Sequence, residues 1–249
     1  MAIDAQVYYS RFDCLGRPFG PEAIIRELER FKVDAAVLVS GMAVDADFRV
    51  GNQELLQVLK SDPRLYACVV LNPVYPAESI ELMRTAMTSP KVVAMGLFKG
   101  ASTPYPNIED CREIINSYRR FTKPVFLHTP SAESVVAAVQ MAKEFPGIKF
   151  ILGSMGGADW RMTIPYAKQL NLVLETSGSF DSEKIEMAVN AFGAHRVMYG
   201  SSFPFSDIAA MLALIQSSGI PKESLAQVLD GTARSLLGIG RPARQESEE

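Results

Sequence analysis

The chain has two histidines, and one of them, His128, closes the apolar run Pro124-Val125-Phe126-Leu127. An imidazole at the end of a buried strand can move a proton near neutral pH or ligate a metal ion. Three further apolar runs end in polar or glycine-rich residues. In Ile3-Asp4-Ala5-Gln6-Val7-Tyr8, Gln6 and Tyr8 are two apart and share one side of a strand, with Asp4 lower on the same side. Residues 149–152 run into Gly153-Ser154-Met155-Gly156-Gly157, and residues 196–199 into Gly200-Ser201-Ser202-Phe203-Pro204-Phe205. Lys99 follows the apolar run 92–98.

Each side chain admits a chemical and a structural reading. His128 is either a hydrogen-bonded filler or a general acid or base with a nearly unperturbed pKa. Asp4 is either a structural acid on a backbone donor or a proton acceptor. Tyr8 fills space or orients a substrate through its hydroxyl. Ser154 and Ser202 are small and neutral, and a serine nucleophile there would need His128 close by and an oxyanion hole. Trp160, the single tryptophan, lines a pocket or packs a helix. Phe203 belongs to an apolar loop that walls a pocket or meets a partner chain. His195 precedes the last strand-like run, on the opposite face, and is assigned no chemistry.

Short β-branched runs alternate with helix-length amphipathic stretches along the chain. Strands are expected near 2–7, 34–39, 65–71, 92–98, 124–129, 149–152, 172–176 and 196–199. Helices are expected between them, with Asn52 capping one over 52–59 and Pro165 interrupting one over 160–170. Eight β–α units at a spacing of about 25–30 residues suit a (β/α)8 TIM barrel of about 250 residues. A doubly wound open sheet is the alternative, but no Gly-x-Gly-x-x-Gly follows the first strand. The expected division is one barrel over 1–237 and a charged, disordered tail over 238–249. In such barrels active sites form at the C-terminal strand ends, where the residues above fall.

Composition narrows the function. Apolar residues make up 48%, enough for a sizeable core, and the net charge of −3 offers no footprint for nucleic acid or an anionic membrane. No apolar run reaches membrane-spanning length, and the N-terminus lacks the basic start of a secretory signal. The three cysteines, Cys14, Cys68 and Cys111, form no Cys-x-x-Cys pair, which fits a reducing cytoplasm. The expected partner is a small molecule in the barrel mouth. A homodimer is the expected assembly.

The chain resembles the amidohydrolase-related (amidohydrolase 2) family of metal-dependent hydrolases. The resemblance rests on Ile3-Asp4-Ala5, Gly51-Asn52, Pro124 to Thr129, Phe145-Pro146 to Gly157 with Trp160, Thr176-Ser177-Gly178, and Arg196 to Ser201. It implies a distorted (β/α)8 barrel holding zinc or manganese. The family's ligands are a His-x-His pair on the first strand, a His after the fifth, a His after the sixth and an Asp after the eighth. Relatives hydrolyse amides, lactones or esters, or decarboxylate aromatic acids. Here those positions read Gln6-x-Tyr8, His128, Ser154 and Ser202, so only His128 matches. Lys99 stands where some relatives place a further ligand. Neutral oxygens ligate zinc or manganese weakly. The resemblance therefore implies a degenerate metal site with no cofactor bound. The chain would be an impaired hydrolase or a small-molecule-binding pseudoenzyme. The alternative is a hydrolase or decarboxylase of a small organic acid, amide or lactone that uses His128 for metal-independent acid–base chemistry, with Asp4 beside it. Gln6, Tyr8, Lys99, Ser154, Trp160, Ser202 and Phe203 would line the substrate.

Overall fold

Eight parallel strands follow one another in chain order around a single sheet in the computed structural model, which describes residues 1–10, 19–100 and 106–240. They are β1 (Ile3–Tyr9), β2 (Ala35–Ser40), β3 (Leu65–Val70), β4 (Val92–Leu97), β5 (Val125–His128), β6 (Phe150–Gly153), β7 (Leu172–Glu175) and β8 (Val197–Met198). Backbone bonds from Ala5 to Tyr199, from Tyr8 to Phe203 and from Ser202 to Gln6 close β8 onto β1. The sheet is thus a barrel and has no open edge. Cys14 and residues 241–249 of the expected 238–249 tail lie outside the described residues.

Alternation along each strand builds two cores. Ile3, Val37, Cys68, Phe126, Ile151 and Met198 fill the barrel interior. Leu38, Leu127, Leu152, Leu174 and Tyr199 face outward and pack against the helices. Each buried branched or aromatic side chain contributes about 1.5–3 kcal/mol, which is why apolar β-branched runs settle in a doubly covered parallel sheet.

Two expectations change in detail, and two local features are added. Asn52 caps no helix: it sits inside the helix Phe48–Val58, whose cap is Asp47. Its side chain instead donates to the carbonyls of Phe48 (2.6 Å) and Val70 (2.7 Å) and accepts from the Val70 N–H (3.0 Å). A buried amide is the group that can satisfy both sides of a backbone unit, so Asn52 clips the helix to the end of β3. Pro165 does not interrupt its helix, which runs from Trp160 to Gln169. Arg161, whose carbonyl loses its partner there, is exposed and reaches water. The helices Lys222–Ala226 and Thr232–Leu237 are joined by a π-helical turn, Gln227–Gly231. An irregular turn, Ser154–Asp159, with positive φ at Ser154, Met155, Gly156 and Gly157, follows β6.

Among the described residues no helix is long and apolar enough to cross a membrane. Cys68 and Cys111 are buried free thiols.

Candidate functional site

The polar strand ends meet at one mouth of the barrel around a cavity of about 470 Å3. Tyr8, Lys99, His128, Ser154 and Ser202 line it, as their positions past the apolar runs suggest. Asp4, Gln6, Trp160 and Phe203 are not among its walls.

The reasons are local. A register shift between Asp4 and Val7 adds a residue to β1 and breaks the two-residue alternation. Ile3 and Ala5 therefore point inward, while Asp4 turns toward β8. Its Oδ1 accepts from the N–H groups of Ser201 (2.9 Å) and Gln6 (3.3 Å), bolting the barrel seam. Asp4 and Gln6 thus do not share a face. Burial pushes the Asp4 carboxyl up to about 7, against the pull of its bonds to Ser201 and Gln6. Trp160 is buried in the outer core, and its indole donates to Asp181 at 3.1 Å. Phe203 is in the same core and forms part of the seam with Val7 and Tyr8. Phe205, two residues on, is the aromatic ring that reaches the cavity, standing edge-on to Tyr8 at 5.0 Å.

His128 stacks on Phe98 with ring centres 5.6 Å apart, and its buried Nδ1 has no hydrogen-bond partner. Burial lowers its pKa to about 4, so the imidazole is neutral at physiological pH. This corrects the expectation of a nearly unperturbed imidazole.

Gln6 lies behind Tyr8 and donates to its hydroxyl at 3.1 Å. The Gln6 carbonyl receives Ser177 Oγ at 3.3 Å. Ser177 Oγ also donates to Glu175 Oε2 at 2.7 Å and stands 3.2 Å from Ser154 Oγ. Glu175 is fully buried and also accepts from the N–H groups of Ser154 (3.0 Å) and Ser177 (2.9 Å). Burial raises its pKa, while these bonds and the charge of Lys184 oppose the rise. Lys184, also buried, donates to the carbonyls of Thr176, Ser177 and Ser179, and burial lowers its pKa. Glu175, Ser177 and Lys184 carry the polar floor of the site, and none of them is among the expected site residues. An acid ending the apolar run Leu172-Val173-Leu174 was the available signal for Glu175. Nothing in the sequence distinguishes Lys184 from a surface lysine of its amphipathic helix.

Two serines of the rim have left-handed backbones, Ser154 with φ 67° and Ser202 with φ 56°. Such a conformation costs a non-glycine residue about 1–2 kcal/mol, and it clusters where side chains are held for use.

A (β/α)8 barrel with a polar cavity at its C-terminal mouth belongs to the class that places small-molecule sites there. The amidohydrolase family model matches residues 15–239, and the chain belongs to that family. The search of curated proteins finds no match. Among solved structures, the 5-carboxyvanillate decarboxylase of Novosphingobium aromaticivorans, complexed with manganese and 4-hydroxy-3-methoxy-5-nitrobenzoic acid, superposes with a TM-score of 0.79 at 12% identity, covering 96% of each chain. A dihydroxybenzoic acid decarboxylase from Polaromonas with bound manganese and 2-nitroresorcinol gives 0.75 at 15% identity, covering 97% of each chain. The 5-carboxyvanillate decarboxylase of Sphingomonas paucimobilis gives 0.72 at 17% identity, over 96% of this chain and 98% of the other. At these identities the likeness carries the fold.

The manganese complexes overturn the expectation that no cofactor is bound here; they point to a divalent metal. The side chains at the mouth do not fit the family's centre, however. Among the described residues no three His, Cys, Asp or Glu side chains stand together. The unpartnered Nδ1 of His128 is the one nitrogen donor of the family kind in the cavity. Gln6, Tyr8, Ser154 and Ser177 commit their polar atoms to one another and to Glu175.

Proposed function

We propose that the barrel mouth binds a small organic acid, and that the family's metal-dependent turnover is impaired in this chain. The observation that carries this reading is the hydrogen-bonded set Tyr8–Gln6–Ser177–Glu175. It commits Gln6 and Tyr8, which stand where the family has its first-strand His-x-His pair, to a hydrogen bond with each other. A divalent ion held by one imidazole and neutral oxygens is held weakly, because tight transition-metal sites need three or four good ligands.

The acid is suggested by the walls. Tyr8, Val44, Pro130 and Phe205 offer apolar and aromatic surface, His128 stays neutral, and the Lys99 ammonium stands in the wall together with the Asp45 carboxylate. A cavity of about 470 Å3 suits a single-ring carboxylate.

The test has two arms. The purified protein is loaded with manganese or zinc, desalted, and assayed for metal by plasma mass spectrometry. Hydroxybenzoates are then titrated by calorimetry and screened for decarboxylation. Saturable acid binding with no turnover by the metal-loaded protein is expected. One retained equivalent with turnover overturns the reading.

A further inference from the structure

The serine at the end of β6 has three features that the acid-binding reading does not use. Ser154 lines the cavity, its backbone is held at φ 67°, and its Oγ stands 3.2 Å from Ser177 Oγ. Ser177 Oγ in turn donates to Glu175 at 2.7 Å. Its contact with Gln6 is longer, at 3.3 Å, so the single Ser177 proton lies toward the carboxylate. That leaves the Ser177 oxygen lone pairs to accept from Ser154. The chain of donors therefore runs one way, from the cavity inward: Ser154, Ser177, Glu175.

The surroundings are cut back to admit this chain. At Gly178 a Cβ would stand 2.6 Å from Ser154 Cβ, and at Gly200 a Cβ would stand 1.9 Å from Glu175 Oε1. Lys184 holds the loop that carries Ser177 by donating to the carbonyls on either side of it. The geometry resembles a serine nucleophile activated by a base through a positioned hydroxyl.

We propose that Ser154 is the nucleophile of an acyl-transfer site, activated through Ser177 by Glu175, that acts on small carboxylic esters. Ser154 Oγ bonds to the ester carbonyl carbon. Its proton passes to Ser177 Oγ as the Ser177 proton passes to Glu175. The bond from the carbonyl carbon to the alcohol oxygen breaks, and the departing oxygen takes the proton back through Ser177. Water then attacks the acyl-serine along the same path, giving acid and alcohol with no change of oxidation state. Ser154 is the catalytic residue, and Ser177 and Glu175 act through it.

The test treats the full chain with p-nitrophenyl acetate and, separately, with diisopropyl fluorophosphate. Release of p-nitrophenol and intact mass are followed, and the adduct is mapped by peptide mass. One adduct per chain, on Ser154, is expected. Ser177→Ala and Glu175→Gln should each slow labelling on the order of 100-fold, and Ser177→Thr should restore much of the rate. Ser154→Cys keeps a nucleophile in place, and its rapid alkylation at residue 154 by iodoacetamide is the second measurement. No adduct, an adduct elsewhere such as Ser202, or an unchanged labelling rate in folded Ser177→Ala overturns the inference. The acid-binding reading fails separately: labelling without hydroxybenzoate binding overturns that reading alone, and binding without labelling overturns this one alone.

Discussion

Replacing Asp4 with Asn should change how stability depends on pH. Asp4 lies wholly inside the seam between β1 and β8, and burial lifts its carboxyl from the ordinary 3.8 to about 7. Between those values the folded chain holds a proton that the unfolded chain has released. Stability is therefore fully present below pH 3.8 and is lost as pH rises toward 7. The rise corresponds to about 4 kcal/mol, taken as an upper figure. Asparagine keeps the oxygen that accepts from Ser201 and Gln6. Its amide takes the place of Oδ2, which stands beside the Tyr199 hydroxyl. The variant should thus gain on the wild type by up to about 4 kcal/mol between pH 4 and pH 8. Urea unfolding followed by Trp160 fluorescence at pH 4.5, 6 and 8 measures the difference. His128 and Glu175 titrate in both chains and largely cancel. A difference constant to within about 1 kcal/mol across that range would refute the burial argument.

Three further outcomes are expected. With only two imidazoles to resolve, NMR titration should place His128 near 4, its stabilising contribution being present above pH 6.5 and lost as pH falls through 4; a midpoint near 6.5 would mean the ring is solvated. Asn52→Ala should cost about 2–4 kcal/mol in urea unfolding, because it strands both backbone groups of Val70; a loss under about 0.5 kcal/mol would show that water replaces the clip. Gly200→Ala drives a methyl into Glu175 and should destabilise by about 1–3 kcal/mol, and Glu175→Ala in the same chain should recover part of that loss; additive effects would place the clash elsewhere.

The barrel itself was legible in the chain. Eight apolar runs, each followed by an amphipathic stretch, mark strands and helices that appear within a few residues of their expected places. The reason is that a parallel sheet covered on both faces demands continuous apolar runs, and the helices outside it demand a 3.6-residue period, so local pattern and global fold agree. The mouth was legible for the same reason, since polar residues just past a buried strand can stand only at its C-terminal end. Hence Tyr8, Lys99, His128, Ser154 and Ser202 were placed together before any coordinates.

Tertiary structure alone decided which side chains face the cavity and in what protonation state. One extra residue in β1 turns Asp4 away from Gln6, and counting by twos cannot detect a bulge. The approach of β6, β7 and β1 gathers Ser154, Ser177, Glu175 and Gln6 into one hydrogen-bonded set, although Gln6 and Ser177 are 171 residues apart. Burial, which belongs to the packed barrel and not to any residue, lowers the His128 pKa and raises that of Asp4. Residue types and strand ends are local properties that a sequence carries outright. Bulges, cross-barrel neighbours and desolvation arise only when the eight strands close.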